Sequence, residues 1–173
     1  VIGNMDALKH LEGCADNLDA NIRTSASLTF FAGEEIDSRQ RAYEESWKIV
    51  RDCNIVIENM SGRDTDIARG ALSAAYSMKG IIYYNLLREF CQPWSDAKAG
   101  ELPGIPVVES FGINDKPLRG TIRQTYDYAK AQLDKALAFK PTDPKYLFTE
   151  WIIKAYKAKL EFWCGRWDNV ISL

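Results

Sequence analysis

A chain of 173 residues is long enough for one domain, and its 46% of hydrophobic residues can form a packed core without disulfides or metals. The net charge of −2, from 22 basic and 24 acidic residues, argues against the concentrated basic face of a nucleic-acid-binding protein. No apolar run is long enough to span a membrane, and four cysteines without a CxxC pair, with His10 as the single histidine, provide no ligand set for a structural zinc ion.

Hydrophobic periodicity predicts an all-α chain with five helices in order. The expected helices cover residues 5–22, 43–60, 64–90, 121 to just before Pro141, and 147–164. Residues 166–173 have the pattern of the first turns of another helix. Between the first two helices, residues 25–31 have extended character, and residues 30–41 are expected to form a loop with two phenylalanines and several charged side chains.

The longest predicted helix, residues 64–90, contains no proline and is expected to be the central scaffold of the fold. Its expected buried face carries apolar residues three or four apart, at Ile67, Ala71, Ala75, Met78, Ile82 and Leu86. Glycine and alanine are frequent in its first two thirds, which predicts a close approach by a neighbouring helix. Because the connection at Ser61-Gly62 is short, the helix before it is expected to pack antiparallel to it as a hairpin.

Three local signals predict how helices are held and how they end. Asn54 lies on the apolar seam of the helix at residues 43–60, and a buried amide needs partners, so we expect it to bond to a neighbouring backbone. Thr121 and Gln124 have the spacing of a capping box, in which each side chain satisfies the other's backbone donor. Gly165 is expected to terminate the helix at residues 147–164.

Residues 91–120 form a long connection that holds four of the six prolines. Connections of this length without regular structure of their own are typically functional or well packed. Trp94, Ile105, Val107 and Phe111 favour packing within this one.

Weak internal repetition is visible in the second half of the chain. The small–large–small–proline spacing in residues 129–141 resembles the second helix of a tetratricopeptide repeat, and residues 165–170 resemble the start of that helix in a following repeat. Their separation exceeds the standard period of about 34 residues, so we expect an irregular α-solenoid of helical hairpins with long loops. Since each repeat buries its face only against neighbours, the native domain is expected to continue past Leu173.

The most specific information is the order of motifs between Tyr43 and Leu173, which resembles the N-terminal part of the SusD/RagB family of surface nutrient-binding lipoproteins. The matching positions are Tyr43, Trp47, Val50, Cys53, Asn54, Ile55, Ile57, Glu58, Ala75, Met78, Tyr83, Tyr84, Leu86, the Gly104-Ile105-Pro106-Val107 stretch, Arg119, Ile122, Tyr126, Leu133, Ala136, Lys154, Ala155, Ala158 and residues 165–171. The chain departs from the family pattern at Ala74, Lys79 and Gly80, where glutamate, arginine and alanine are usual. These changes are expected to remove a charged tie from the hairpin and to leave its apolar seam intact.

The resemblance implies one SusD-like N-terminal helical domain over residues 1–173, in a receptor that is not an enzyme. Members of that family capture glycans, or in some branches peptides, for import through a SusC-type TonB-dependent transporter. The implied location is the outer membrane, through a lipid anchor outside these residues, with no cofactor, metal or nucleic acid. The structural positions that we expect to support this scaffold are Trp47, Asn54, Tyr83, Pro106 and Tyr126.

Sugar binding needs an aromatic face beside polar groups that bind hydroxyls, and two stretches offer that combination. The candidate ligand-binding residues are Phe30, Phe31, Glu34, Glu35, Asp37 and Arg39 in the first loop, and Gln92, Trp94 and Asp96 after the central helix. The alternative interpretation is that these aromatic side chains only pack against the ends of helices.

Two other functional classes remain open at this point. Glu34, Glu35 and Asp37 could serve as glycosidase carboxylates, but such enzymes hold two carboxyls at a fixed separation, and a solvated acidic turn is the simpler interpretation. One histidine and no nucleophile–base pair also argue against catalysis. A tetratricopeptide-type scaffold that binds another protein in a concave groove is the second alternative.

Overall fold

The computed structural model describes residues 37–112, 114–139 and 148–173, and these ranges contain five helices and two short strands. In chain order they are α1 (Asp37–Met60), α2 (Asp66–Phe90), β1 (Pro103–Pro106), β2 (Arg119–Thr121), α3 (Ile122–Ala138), α4 (Glu150–Trp163) and α5 (Trp167–Ile171). The predicted all-α class of helical hairpins is confirmed. The predicted helix at residues 5–22 and the extended stretch at 25–31 lie outside the described residues.

The chain divides into two compact units, Val1–Glu45 and Ser46–Leu173. The second unit contains the described core, in which α2 packs on α3, α3 on α4, and α4 on α5. No helix within the described ranges combines the length and the apolarity that crossing a membrane requires.

Helix α1 begins at Asp37 and not at the predicted Tyr43, so the loop expected at residues 30–41 is helical from Asp37 onward. That part of the prediction is wrong because the first turns of α1 are polar and show no apolar period. They contain good helix formers instead, and Gln40 Nε2 donates to Glu44 Oε1, one turn on, at 3.0 Å. The helix ends at Met60 as predicted, and Gly62 takes a left-handed φ of 79° directly after it.

Helix α2 confirms the predicted central helix, although its buried surface differs from the expected stripe. Thr65 caps its first turn, where the hydroxyl oxygen accepts the Ala68 N–H at 3.1 Å. Ile67, expected on the buried face, is 67% exposed, while Ala68 and Leu72 are buried. The reason is that α2 contacts α3, α4 and β1, so burial extends around much of its circumference and not along one face.

Gly80 sets the distance between α2 and α3. A β-carbon at this position would lie 2.7 Å from Leu133 Cγ and 3.1 Å from the backbone oxygen of Ala129. A side chain of any size would therefore push α3 away from α2. The predicted close approach of a helix at the small residues of α2 is thus confirmed, with α3 as that neighbour.

A two-stranded antiparallel sheet lies within the connection that was expected to have no regular structure. Strand β1 pairs with β2 in a register that joins Pro103 to Thr121 and Pro106 to Arg119, with an irregularity between them. Arg119 Nε also donates to the Gly104 backbone oxygen at 2.9 Å. Two prolines in a four-residue strand weaken the sequence signal for β structure, which explains why this pairing could not be predicted.

The ends of α3 and α4 largely follow the local signals. Thr121 and Gln124 form the predicted capping box, and α3 ends at Ala138, before the proline. Helix α4 starts at Glu150 and not near residue 147. It ends at Trp163, and Gly165 follows with the left-handed φ of 69° that the predicted cap requires.

Candidate functional site

Gln92, Trp94 and Asp96 lie in the stretch that leaves the C-terminal end of α2. The Trp94 indole is half-buried, and its Nε1 donates to Asp96 Oδ1 at 3.0 Å. Gln92 and Asp96 are exposed. The predicted second candidate site therefore places one indole of fixed orientation beside two solvent-accessible polar side chains.

The Trp94 ring is also a packing centre for α3 and α4. Its centroid is 5.1 Å from the Tyr126 ring and 6.2 Å from the Trp163 ring. The guanidinium groups of Arg123 and Arg166 lie 5.3 Å and 5.2 Å from the centroid of Trp94. This environment supports the packing interpretation of Trp94, and a contact between its remaining exposed edge and a ligand stays a prediction.

A buried carboxylate, Glu161 on α4, lies beneath this packing centre with 1% of its surface exposed. Its Oε1 accepts the Tyr126 hydroxyl at 2.8 Å and pairs with Lys130 Nζ at 2.7 Å, and its Oε2 accepts Asn169 Nδ2 at 3.0 Å. Arg166 Nη1 donates to the Tyr126 hydroxyl oxygen at 2.9 Å. We refer to these five residues as the Glu161 cluster.

The protonation states in the Glu161 cluster follow from its contacts. Burial by itself would raise the pKa of Glu161, but hydrogen bonds from Asn169, Lys130 and Tyr126 hold that pKa below its ordinary value of 4.5. Burial, followed by the hydrogen bond to Glu161, raises the pKa of the Tyr126 phenol. At neutral pH the cluster therefore contains a charged carboxylate and a neutral phenol. Both groups already have hydrogen-bond partners within the cluster, which suits a structural role and not proton transfer.

A second polar cluster fixes the part of the long connection that follows β1. Asn54 on α1 is fully buried, and its Nδ2 donates to the backbone oxygens of Val108 and Ser110 at 3.3 Å and 3.2 Å. Lys79 Nζ on α2 donates to Asn54 Oδ1. The Asn54 amide thus ties α1 to α2 and to a neighbouring backbone segment at once.

Two tyrosines complete this cluster. The Tyr83 hydroxyl donates to the Pro106 backbone oxygen at 3.0 Å and accepts the Val108 N–H at 2.8 Å. The Tyr128 hydroxyl on α3 donates to the Val108 backbone oxygen at 3.3 Å. We call Asn54, Lys79, Tyr83 and Tyr128 the loop clamp. Three helices therefore contribute side chains that hold one short backbone segment.

The other residues that we expected to support the scaffold belong to these two clusters or contact them. The Trp47 ring meets the Tyr83 ring edge to face, with centroids 6.2 Å apart. Pro106 provides the carbonyl that Tyr83 binds, and Tyr126 belongs to the Glu161 cluster. The departures at Ala74, Lys79 and Gly80 are expected to remove a charged tie from the hairpin, and the described contact of Lys79 is with a neutral group. Lys79 is 2% exposed and donates across the hairpin to the Asn54 amide oxygen.

The first predicted ligand site can be placed only in part. Phe30, Phe31, Glu34 and Glu35 lie outside the described residues. Asp37 begins α1, and Arg39 lies in its first turns, so these two belong to a helix and not to the predicted loop.

Sequence reasoning missed Glu161, Arg166 and Lys79. A helical projection of α4 gives a signal for Glu161, because it shares the face of Ile153, Leu160 and Cys164, which are all buried. The signal at Lys79 is the arginine that is usual there in the family pattern, because periodicity does not mark a lysine on a mostly small-residue helix, where it is ordinarily solvated. Within the described ranges, no group of three or more His, Cys, Asp or Glu side chains is placed to hold a metal ion.

A comparison with protein-family models shows to which family this chain is related. The SusD-like family model described as "Starch-binding associating with outer membrane" matches residues 4–161. The chain belongs to the SusD-like family. The resemblance to SusD/RagB proteins is thereby confirmed. A search of curated protein sequences gave no match.

Solved structures share the fold. A SusD superfamily protein from Bacteroides thetaiotaomicron VPI-5482 aligns with a TM-score of 0.66 and 22% identity, over 75% of this chain and 30% of its own. A SusD-like carbohydrate binding protein from Bacteroides vulgatus ATCC 8482 aligns with a TM-score of 0.65 and 15% identity, over 76% of this chain and 29% of its own. The present chain therefore spans about 30% of the length of these proteins.

Proposed function

We propose that this protein binds a glycan at the surface of the outer membrane and delivers it, chemically unchanged, to a SusC-type TonB-dependent transporter. The observation that carries the proposal is the SusD-like family match over residues 4–161, whose description names starch binding and association with the outer membrane. As in the SusD/RagB proteins that the sequence resembles, a lipid anchor would hold such a protein at the membrane.

The stretch from Gln92 to Asp96 supports the glycan part of the proposal. A sugar ring binds to an aromatic surface through its C–H groups and to planar polar side chains through its hydroxyls. The Trp94 indole has a fixed orientation, because Asp96 binds its Nε1 and two aromatic rings and two guanidinium groups surround it. A fixed ring loses little conformational entropy when a ligand binds.

Affinity electrophoresis through gels that contain starch, xylan, mannan or pectin tests this function. We expect at least one polysaccharide to retard the protein, and no reducing ends to accumulate during prolonged incubation. Retardation by none of the four would overturn glycan binding, and release of reducing ends would show an enzyme.

Variants of exposed residues test the Trp94 site without disturbing its packing. We expect Gln92→Ala to weaken retardation by the bound polysaccharide about fivefold, since one good hydrogen bond contributes about 1 kcal/mol. Lys98→Ala, at an exposed position in the same stretch, is the matched control and should leave retardation unchanged. Equal binding by Gln92→Ala and the parent protein would remove this site and leave the family function standing.

An apolar surface on α4 and α5 favours the second function, a helical-repeat scaffold that binds another protein. Trp151 is 76% exposed, and Phe162 and Trp167 are exposed and in edge-to-face contact with centroids 4.8 Å apart. Exposed aromatic side chains of this kind are enriched where proteins bind each other. Co-purification of partner proteins other than a TonB-dependent transporter, abolished by Trp151→Ala, would support this role. Loss of a transporter alone would assign the surface to the first proposal, and co-purification that Trp151→Ala leaves unchanged would contradict a role for this surface.

A further inference from the structure

The backbone that the loop clamp holds forms one side of a surface groove. The groove has a volume of about 320 Å³ and lies between residues 107–110 and residues 115–117. This volume is at the lower end of the range for small-ligand sites, about 300–1,000 Å³, and suits one or two sugar units. The groove is separate from Gln92, Trp94 and Asp96, which do not line it.

Helix side chains hold the backbone of the first side of the groove, within residues 107–110, by more hydrogen bonds than an exposed loop requires. Both hydrogen-bonding groups of the Val108 backbone have partners from helices, since Tyr83 accepts its N–H while Asn54 and Tyr128 donate to its oxygen. The Ser110 backbone oxygen also accepts from Asn54. A binding site needs its polar groups in fixed positions before the ligand arrives, and this clamp provides that order.

The end of this side is fixed as well. The Phe111 N–H donates to Glu58 Oε1 on α1 at 2.9 Å. The Phe111 side chain nevertheless remains 44% exposed directly after Ser110, a residue that lines the groove. An exposed aromatic ring on a fixed backbone is a suitable surface for the C–H face of a sugar.

The burial of Lys79 in the loop clamp costs stability, which indicates that the backbone geometry that the clamp fixes is important. Lys79 is almost fully buried, and burial lowers its pKa to about 8, so that at neutral pH a charged ammonium group lies in the core. Lys79 bonds to Asn54 and not to the loop itself, so an apolar side chain at position 79 would avoid this desolvation, although Asn54 Oδ1 would lose its donor. A polar clamp, unlike an apolar one, also fixes the direction of each carbonyl and N–H in residues 108–110.

The second side of the groove has its own constraint. The Asp115 N–H donates to the Gly112 backbone oxygen at 3.2 Å, and the Asp115 carboxylate occupies the space that a β-carbon at position 112 would need, so a larger residue there would turn this carboxylate away. Glycine at position 112 therefore allows Asp115 to reach its position at the groove.

The chemistry of the lining indicates the class of ligand. Glu109 and Asp115 present carboxylates, which accept hydrogen bonds from hydroxyls, and Lys116 and Ser110 supply donors. Apolar surface comes from valine and proline side chains at positions 107, 108 and 117. Two carboxylates against one ammonium group give the groove a negative charge, which disfavours uronic or sulfated sugars and favours a neutral sugar unit.

We propose that this groove is a second glycan contact, in which Glu109, Ser110, Asp115 and Lys116 bind the hydroxyls of a neutral sugar unit. The proposal rests on the glycan-binding function proposed above and adds a site and a charge preference to it. The loop clamp positions this contact and does not itself touch the ligand.

Calorimetric titration with an oligosaccharide cut from the polysaccharide that retards the protein tests the groove. We expect the double variant Glu109→Gln, Asp115→Asn to bind about tenfold more weakly and to unfold at the same temperature, because both side chains are exposed. The matched control is Glu101→Gln, Asp127→Asn, which removes two exposed carboxylates that do not line the groove and should bind as the parent protein does.

Methyl resonances provide an independent readout. Titration with the same oligosaccharide should shift the methyl signals of Val107 and Val108 in the parent protein and should shift them less in the groove variant. Unchanged affinity in the groove variant, unmoved valine signals, or a preference for acidic oligosaccharides would each overturn the groove proposal. If no polysaccharide binds at all, the proposed function fails, and the groove proposal fails with it.

Discussion

The Glu161 cluster and the loop clamp each bury one charged side chain, but the two charges have different surroundings. Glu161 receives three hydrogen bonds or ion pairs from Tyr126, Lys130 and Asn169, and its pKa is held below the ordinary value. Lys79 donates to a neutral amide oxygen, and burial lowers its pKa to about 8. The carboxylate is therefore stabilised in its charged form, whereas the ammonium group is not.

The difference shows what each cluster contributes. The Glu161 cluster joins α3, α4 and α5, so the hydrogen bonds and the ion pair of its carboxylate support the packing of helices. The loop clamp joins α1, α2 and α3 to an exposed connection, and its unbalanced charge lowers stability in exchange for a defined loop backbone. Substitutions in the Glu161 cluster should lower the free energy of unfolding most. Substitutions in the loop clamp should also change the conformation of the loop backbone.

Removal of the buried carboxylate should have the largest effect. We expect Glu161→Ala to lower the free energy of unfolding by about 4 kcal/mol, because it breaks the ion pair of a buried carboxylate with Lys130 and leaves the buried Tyr126 hydroxyl without its acceptor. Urea denaturation measures this value. Glu150→Ala, which breaks the exposed ion pair of Glu150 with Lys154 at 3.0 Å, is the matched control and should cost about 0.5 kcal/mol. Similar losses in the two variants would contradict the role of the Glu161 cluster.

Truncation of the clamping amide should be slightly less destabilising. Asn54→Ala leaves Lys79 without its acceptor and the Ser110 backbone oxygen without its donor, while the Val108 oxygen keeps Tyr128, so we expect a loss of about 3 kcal/mol in urea denaturation. Addition of Lys79→Met should restore about 1 kcal/mol or more, since it removes the unpaired charge. No recovery in the double variant would show that the charge of Lys79 is not what makes the clamp costly.

Where α2 and α3 approach closely, the atoms nearest to Gly80 belong to Leu133 and Ala129, which carry no charge, so this contact offers a comparison for both clusters. We expect Gly80→Ala to lower the free energy of unfolding by about 2 kcal/mol, because the new methyl group overlaps Leu133. Gly100→Ala is the matched control, as a β-carbon there would meet no atom within 4 Å, and it should change stability by less than about 0.5 kcal/mol. Equal effects would mean that α3 can move away from α2 at little cost.

Lowering the pH should protonate Glu161 and should leave Lys79 of the loop clamp charged. The pKa of Glu161 is lower in the folded protein than its ordinary value of 4.5, so the unfolded state binds more protons as the pH falls. The contribution of Glu161 is therefore present above pH 4.5 and is lost as the pH drops through the folded pKa. Glu161→Gln should show a smaller loss of stability below pH 4.5 than the parent protein in urea titrations at several pH values.

Local patterns were sufficient to predict much of the helical framework. The capping box at Thr121 and the glycine cap at Gly165 depend on residues close together in the chain, and both were found. The start of α1 at Asp37 was missed because its first turns are polar and carry no apolar period. The β1–β2 pair was missed because it joins two prolines to residues far along the chain.

For the candidate sites, the sequence could predict only groups of residues that are close together in the chain. Gln92, Trp94 and Asp96 were expected together, and the structure places them in one surface stretch. The packing of Trp94 against Tyr126 and Trp163 depends on how α3 and α4 return to the end of α2, which no local pattern encodes. The groove beside Ser110 was not expected, since its clamp comes from three separate helices.

The sequence by itself determined most of the described helices, the caps at Thr121 and Gly165 and the buried amide at Asn54, because periodicity and capping are properties of short stretches. The order of motifs along the chain determined the family. The tertiary structure alone decided which charges are buried and what they bind. Burial of Glu161 and Lys79 is stable only where distant residues supply hydrogen-bond partners, and the positions of those partners follow from helix packing.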